Sequence, residues 1–124
     1  MHALLMVKPG SLRDGLDALL YTIPEVDLVV HANDTNAALD FCKQHSTILV
    51  IMEIKPDDHD VLAQVSDMKA YCSQVHMMAL IHDEKDRPYA DDAGIDLVIS
   101  SGTKAADLKT EILNLVQLSP EGQS

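Results

Sequence analysis

Basic residues are scarce in this sequence, and their scarcity excludes one class of partner. The chain has 9 Lys and Arg against 20 Asp and Glu, which gives a formal net charge of −11. A domain that binds the phosphate backbone of a nucleic acid needs a basic face. We therefore expect that this domain does not bind nucleic acid by itself.

The sequence also lacks a long apolar run, a secretory signal pattern and a cysteine framework. No apolar run approaches the roughly 20 residues of a membrane span, and the N-terminus has no signal-peptide pattern. We therefore expect a cytoplasmic protein without membrane contact. We also expect one globular domain, because 124 residues with 47% apolar content suit a single core. Cys42 and Cys72 show no metal-ligand spacing, so free thiols are predicted.

One apolar stretch organises the rest of the chain. Residues 47–54 read TILVIMEI, and Pro56 follows shortly after. A short continuous apolar run of this kind predicts a strand that is buried on both faces, as in a parallel sheet. Glu53 is unusual in such a strand, because a buried carboxylate costs several kcal/mol unless it is paired. Glu53 near the carboxyl end of the strand is therefore the first candidate functional residue, since open α/β sheets place their sites there.

Strand and helix patterns alternate along the whole chain. Asn33 or Asp34 is the predicted N-cap of the second helix, and Ser11 that of the first. The fourth helix is expected to be short and weak, because Pro88 falls within it and acids stand where an apolar stripe is expected. The predicted strands span residues 2–7, 26–30, 47–54, 75–81 and 96–100, and the predicted helices span 12–23, 35–44, 61–72, 82–93 and 104–118.

This alternation predicts an α/β fold of three layers, with a parallel sheet covered by helices on both faces. Right-handed crossovers and five strands favour the flavodoxin-like (βα)5 arrangement with strand order 2-1-3-4-5. The first and third strands are then neighbours. Lys8 and Glu53 should lie side by side at the carboxyl edge of the sheet and form an ion pair.

At this level of detail the chain resembles a known family over nearly its whole length. The segment 12–20, LRDGLDALL, looks like the first helix of the receiver domains of bacterial response regulators, which are CheY-like, and specifically of the NarL/FixJ type. Further matches are Glu53 followed by Pro56, the segment 82–84 (HDE) and the segment 93–96 (AGID).

The resemblance implies which positions would carry phosphorylation. The family uses an acid pair after the first strand to hold Mg²⁺, an Asp phosphoacceptor on the third strand, a hydroxyl on the fourth and a lysine after the fifth. Each of these positions carries a different residue type here. The acid pair falls on Val7 and Lys8, the phosphoacceptor on Glu53, the hydroxyl on Ala79 or Leu80, and the lysine on Ser101 or Ser100.

The departures from the family pattern predict a degenerate pseudo-receiver. Mg²⁺ prefers carboxylate oxygens, so Lys8 removes a ligand and adds a repelling charge. The resemblance then implies a regulatory domain of two-component signal transduction, in a setting such as transcription regulation. It would act through protein–protein contact without phosphorylation, without enzymatic activity and without a cofactor. Glu53 is interpreted either as a substitute for phospho-aspartate or as a relic carboxylate that is satisfied by Lys8.

Receivers commonly dimerise and signal through the face of the fourth helix, fifth strand and fifth helix. Leu113 and Leu118 lie off the predicted buried stripe of the last helix, and together with Tyr89 they form the predicted interaction surface for a protein partner or a homodimer. The receiver-like domain is predicted over residues 1–118, followed by a polar tail at 119–124.

Two alternatives stay open. The domain is flavodoxin-like and binds a metal or small ligand at the carboxyl edge of its sheet, or it is a working receiver in which Glu53 accepts phosphate. Loop side chains of the types that suit Zn²⁺ or Mn²⁺ follow the third and fourth strands, although solvated loops are the commoner explanation. These side chains are Asp57, Asp58, His59, Asp60, His82, Asp83 and Glu84.

Overall fold

The described part of the chain forms five strands and five α-helices in strict alternation. A computed structural model describes residues 1–45, 48–54, 61–72 and 74–116. The strands are β1 (His2–Met6), β2 (Leu28–His31), β3 (Ile48–Ile54), β4 (Val75–Ile81) and β5 (Leu97–Ser100). The helices are α1 (Ser11–Tyr21), α2 (Thr35–Gln44), α3 (Val61–Tyr71), α4 (Arg87–Asp92) and α5 (Ala105–Leu115). The predicted polar tail at 119–124 lies outside the described residues.

All five strands pair in parallel in one sheet with the order β2-β1-β3-β4-β5. The predicted fold class, the flavodoxin-like (βα)5 sandwich with order 2-1-3-4-5, is confirmed. β3 lies in the middle of the sheet between β1 and β4, which explains why its sequence is apolar on both faces.

The two faces of the sheet support two separate hydrophobic clusters. Alternate residues of each strand point to opposite faces, so Val50 and Met52 enter one cluster and Leu49 and Ile51 enter the other. The first cluster packs under α2, α3 and α4. The second packs under α1 and α5, chiefly through Leu16, Leu20, Leu108 and Ile112. The result is the expected three-layer core.

Local capping chemistry fits the predicted helix starts in one case and not in another. The Asp34 carboxylate accepts a hydrogen bond from the Ala37 N–H at 2.8 Å and caps α2 as predicted. Ser11 was predicted to cap α1, but it is the first helical residue. Gly10 occupies the cap position with φ of 153°, and no side chain bonds the first turn. A backbone angle in this range favours glycine.

The fourth crossover carries the short helix that was predicted. A 3-10 turn at Glu84–Asp86 leads into α4, which has only six residues. Asp83 caps the turn by accepting from the Lys85 N–H at 3.0 Å. Pro88 lies at the start of α4, where its missing N–H breaks no helical hydrogen bond. Only one residue of α4, Ala90, is fully buried.

Cys42 on α2 and Cys72 just after α3 are buried in the same cluster. Both are free thiols, as predicted. Burial, reinforced by a hydrogen bond with Cys72, raises the pKa of Cys42 to about 12.

Within the described ranges, no helix combines the length and the apolar composition that a membrane crossing requires.

Candidate functional site

Three polar side chains meet where β3, β4 and β5 end. In the sheet register Glu53 lies beside Leu80, and Leu80 lies beside Ile99. His82 and Ser101 each follow one of these partners by two residues, so the strand alternation directs all three side chains toward the α1 and α5 side of the sheet. The carboxyl edge therefore brings together an acid, an imidazole and a hydroxyl.

Glu53 is the one charged residue that is buried in the described part of the chain. Its side chain is 3% exposed, and both of its oxygens have partners. Oε2 accepts from His82 Nε2 at 2.6 Å, and Oε1 accepts from the main-chain N–H of Lys8 at 3.3 Å. These bonds replace water around the carboxylate, which is the condition for keeping a charge in this position.

His82 connects the buried acid to the surface. Its side chain is 44% exposed, and its second ring nitrogen, Nδ1, lies 2.9 Å from Ser101 Oγ. An ionised carboxylate can only accept hydrogen bonds, so Glu53 requires the proton on Nε2. In a neutral ring Nδ1 then has a lone pair, and Ser101 Oγ donates to it. The arrangement can therefore move a proton from the hydroxyl to the imidazole.

The predicted ion pair between Lys8 and Glu53 is wrong. Among the described residues the Lys8 ammonium forms no ion pair, and only its main-chain N–H contacts Glu53. The register explains the difference. Met6 lies beside Met52, so the next residue level with Glu53 is Val7, and Lys8 falls on the opposite alternation and is exposed.

The other positions that the resemblance singled out lie mostly in the apolar core. Val7, Ala79 and Leu80 are buried among hydrophobic side chains. Ser101 is the exception, because it bonds to His82. Sequence reasoning did not connect His82 and Ser101 with Glu53, although the two-residue offset from the register partners was a signal that could have found them.

A cleft of about 370 Å³ opens on the other side of Glu53, between the ends of β1 and β3. Its polar lining includes Lys8, Asn33, Asp34, Glu53 and Gln64. The cleft places both charged and amide groups within reach of a small polar ligand.

The alternative metal site, on the loops after the third and fourth strands, lies only partly within the described residues. Asp57, Asp58, His59 and Asp60 lie outside them. Of the rest, His82 bonds to Glu53, Asp83 caps the 3-10 turn, and Glu84 pairs with Arg87 at 2.8 Å. The described ranges contain no cluster of three metal-binding side chains.

The predicted interaction surface is less exposed than expected. Leu113 was placed off the buried stripe of α5, but it is half-buried and packs against the core cluster under α1 and α5. Tyr89 is also half-buried and packs against the opposite cluster. Leu118 lies outside the described residues. The large apolar side chains that are exposed in the described ranges are instead Tyr21, Leu28 and Tyr71.

No protein-family model matches this chain, and no curated protein shows significant sequence similarity to it.

Proposed function

We propose that this protein is a regulatory pseudo-receiver that acts through protein–protein contact and does not depend on phosphorylation. The observation that carries the proposal is the state of Glu53. The carboxylate at the position of a phosphoacceptor is 3% exposed and already bonded on both oxygens by groups of the same chain.

Two further features support a domain without phosphoryl chemistry. The positions of a metal-binding acid pair are held by buried Val7 and by Lys8, whose positive charge would repel Mg²⁺. The position of the hydroxyl falls on Ala79 or Leu80, which are both fully enclosed. A phosphoryl group on Glu53 would therefore lack the metal ion that neutralises such a group and the hydroxyl that the resemblance implies.

Exposure to acetyl phosphate and Mg²⁺ tests the first half of this proposal. The intact mass of the protein should stay unchanged, because Glu53 is enclosed and both of its oxygens are already bonded. His82→Ala is a useful second sample, since it removes the donor to one oxygen of Glu53 without restoring a metal site, and it should also stay unmodified. A phosphoryl adduct that maps to Glu53 would contradict the proposal and support the working receiver.

The second half of the proposal concerns the contact surface formed by α4, β5 and α5. A groove there is lined by Arg87, Ser100, Thr103, Asp107 and Thr110, among others. Thr110→Arg changes an exposed residue of this groove and should weaken self-association or partner capture. Ala18→Arg on the exposed face of α1 is the matched control. Sedimentation that shows the same concentration-independent monomer for both variants and the parent, with no partner captured, would contradict a contact role for this face.

A second candidate function is a small-ligand domain, and the cleft beside Glu53 favours it. Metal analysis and native mass spectrometry of the purified protein test this alternative. A ligand of defined mass, lost in Asn33→Leu and retained in Asn114→Leu, would favour ligand binding over a pure contact domain.

A further inference from the structure

The side chains of Ser101, His82 and Glu53 form one continuous hydrogen-bonded chain at the sheet edge. We propose that Ser101 is a nucleophile that accepts an acyl group from an activated ester, with His82 as its general base and Glu53 as the residue that positions the imidazole. This activity goes beyond the proposed regulatory function and does not depend on it.

The geometry has the three parts that an activated nucleophile requires. A hydroxyl must lie within about 2.6–3.2 Å of a base, and a third group must orient that base. Ser101 Oγ lies 2.9 Å from His82 Nδ1, and His82 Nε2 lies 2.6 Å from Glu53 Oε2. Either ring nitrogen of an imidazole can act as the base, because the neutral ring has one donor and one acceptor nitrogen. Here Glu53 holds the proton on Nε2, which leaves Nδ1 as the acceptor.

Exposure rises sharply from the acid to the imidazole. Glu53 is 3% exposed and His82 is 44% exposed, while Ser101 is half-buried at the surface. The acid is therefore sheltered from water, where its field on the imidazole is strongest. The hydroxyl remains within reach of a substrate.

Gly102, the residue after Ser101, has a weakly bonded main-chain N–H. Apart from its two chain neighbours, the nearest atom to a Cβ built at Gly102 is Ser100 Oγ, at 3.9 Å. The Gly102 N–H donates to Ser100 Oγ across a long 3.4 Å, so a charged acceptor such as an oxyanion can displace that hydroxyl. An N–H directly after the nucleophile serves this purpose in other hydrolytic sites. The N–H of Ser101 itself is occupied by Ile81 O at 2.9 Å.

The proposed step is a simple acyl transfer. Ser101 Oγ forms a bond to the ester carbonyl carbon while its proton moves to His82 Nδ1. The carbonyl electron pair moves to the oxygen and returns as the bond to the leaving alcohol or phenol breaks. The leaving group departs as the anion or takes the proton from His82, so the products are acyl-Ser101 and a free alcohol or phenol.

The test uses the full chain and p-nitrophenyl acetate. Nitrophenolate release gives the rate, and peptide mass mapping gives the acetylated residue. We expect one acetyl group on Ser101, its loss in Ser101→Ala, and a rate of acylation roughly 100-fold lower in His82→Gln. Ser11→Ala and His31→Gln should match the parent, because His31 also bonds a carboxylate, Asp17, but lies outside the chain to Ser101.

The acylation rate per folded molecule separates positioning by Glu53 from a merely structural role. Glu53→Gln should lower this rate, because an amide no longer requires the proton of the imidazole on Nε2 as an ionised carboxylate does. Glu53→Asp keeps the carboxylate and should restore part of the rate. A merely structural role would lower the amount of folded protein and leave the rate per folded molecule unchanged.

The outcomes that overturn the proposal are equally specific. Acetyl groups found only on lysines or the N-terminus would exclude Ser101 as the nucleophile. A parent rate in folded His82→Gln, verified by circular dichroism, would exclude the general base. If Glu53→Gln does not fold, the Ser101→Ala and His82→Gln variants still decide, since acetylation that continues at the parent rate in either one overturns the proposal.

Discussion

Two histidine–carboxylate pairs in this molecule use the same chemistry at different depths. His31 Nε2 contacts both oxygens of Asp17 at 2.8 and 3.0 Å, and the two side chains are 36% and 24% exposed. His82 Nε2 contacts one oxygen of Glu53 at 2.6 Å, and that carboxylate is 3% exposed. The first pair joins β2 to α1 near the surface, and the second joins two central strands.

The difference shows how burial turns a pair into a site. Water can replace either partner of the Asp17–His31 pair, so its loss costs little. Glu53 has no comparable access to water, and its second oxygen and the second nitrogen of His82 are each bonded further along the edge. The chemistry of the two pairs is alike, but only the buried one organises its surroundings.

Removal of each acid should give the largest contrast. Glu53→Ala deletes a buried charged group with its hydrogen bonds and should lower the free energy of unfolding by about 2–3 kcal/mol. Asp17→Ala should lower it by less than about 1 kcal/mol. Urea unfolding at neutral pH measures both. Equal losses would mean that burial does not distinguish the two pairs.

Double-mutant cycles sharpen the comparison to the pair itself. The coupling of Glu53 with His82 should be about 1–2 kcal/mol, and that of Asp17 with His31 about 0.2–1 kcal/mol. A cycle of Lys8→Met with Glu53→Leu serves as the control and should show coupling near zero, because only the main chain of Lys8 contacts the acid. A strong coupling between Lys8 and Glu53 would instead support the ion pair predicted from the sequence.

The outer bond of the chain should contribute less than the inner one. Ser101→Ala removes a neutral hydrogen bond at a half-exposed position and should cost about 0.5–1 kcal/mol. Ser11→Ala at the exposed start of α1 is the control. A cost for Ser101→Ala as large as that for Glu53→Ala would place the centre of the network at the hydroxyl.

A third pair, Glu84 with Arg87, includes the most exposed carboxylate of the three pairs, at 65%, and should show the smallest effect. The hydrogen bond from Arg87 lowers the pKa of Glu84 from its ordinary value of 4.5. A lowered carboxyl pKa gives stability above the unfolded value, and this stability is lost as pH falls through the folded value. Below pH 4.5 the parent should therefore lose slightly more stability than Glu84→Gln does. Urea unfolding measures the free energy of unfolding of both proteins as a function of pH. If it falls equally in the two below pH 4.5, this pair contributes nothing.

The architecture could be predicted from the sequence because the spacing of apolar residues within each segment indicates whether it forms a strand or a helix. The run at 47–54 has apolar residues for both faces, and it forms β3, described over Ile48–Ile54. Pro88 and the acids after it predicted a short fourth helix, and α4 has six residues. The ends of the helices were less predictable from the sequence. The first helix was extended to residue 23, but α1 stops at Tyr21, where Thr22 Oγ1 donates to Leu19 O at 2.6 Å.

The site was only half predictable, because its partners depend on register rather than on strand order. Glu53 stood out as an acid in an apolar strand. Strand order alone brought Lys8 next to it, but a shift of one residue sends a side chain to the other face of the sheet. The prediction that Leu113 lies off the buried stripe was wrong for a related reason. The apolar stripe of α5 is wide enough to bury a flanking leucine partly.

The shortness of α4 has a consequence for hydrogen exchange. Six residues allow few internal hydrogen bonds, and one side chain, Arg87, ties this segment to β5 by donating to Val98 O at 2.8 Å. Segments with few buried contacts open locally at a small fraction of the global unfolding free energy. The amides of α4 should thus exchange with deuterium far sooner than those of β3, and each opening would release the guanidinium and uncover the edge strand β5 while the Glu53 network stays closed.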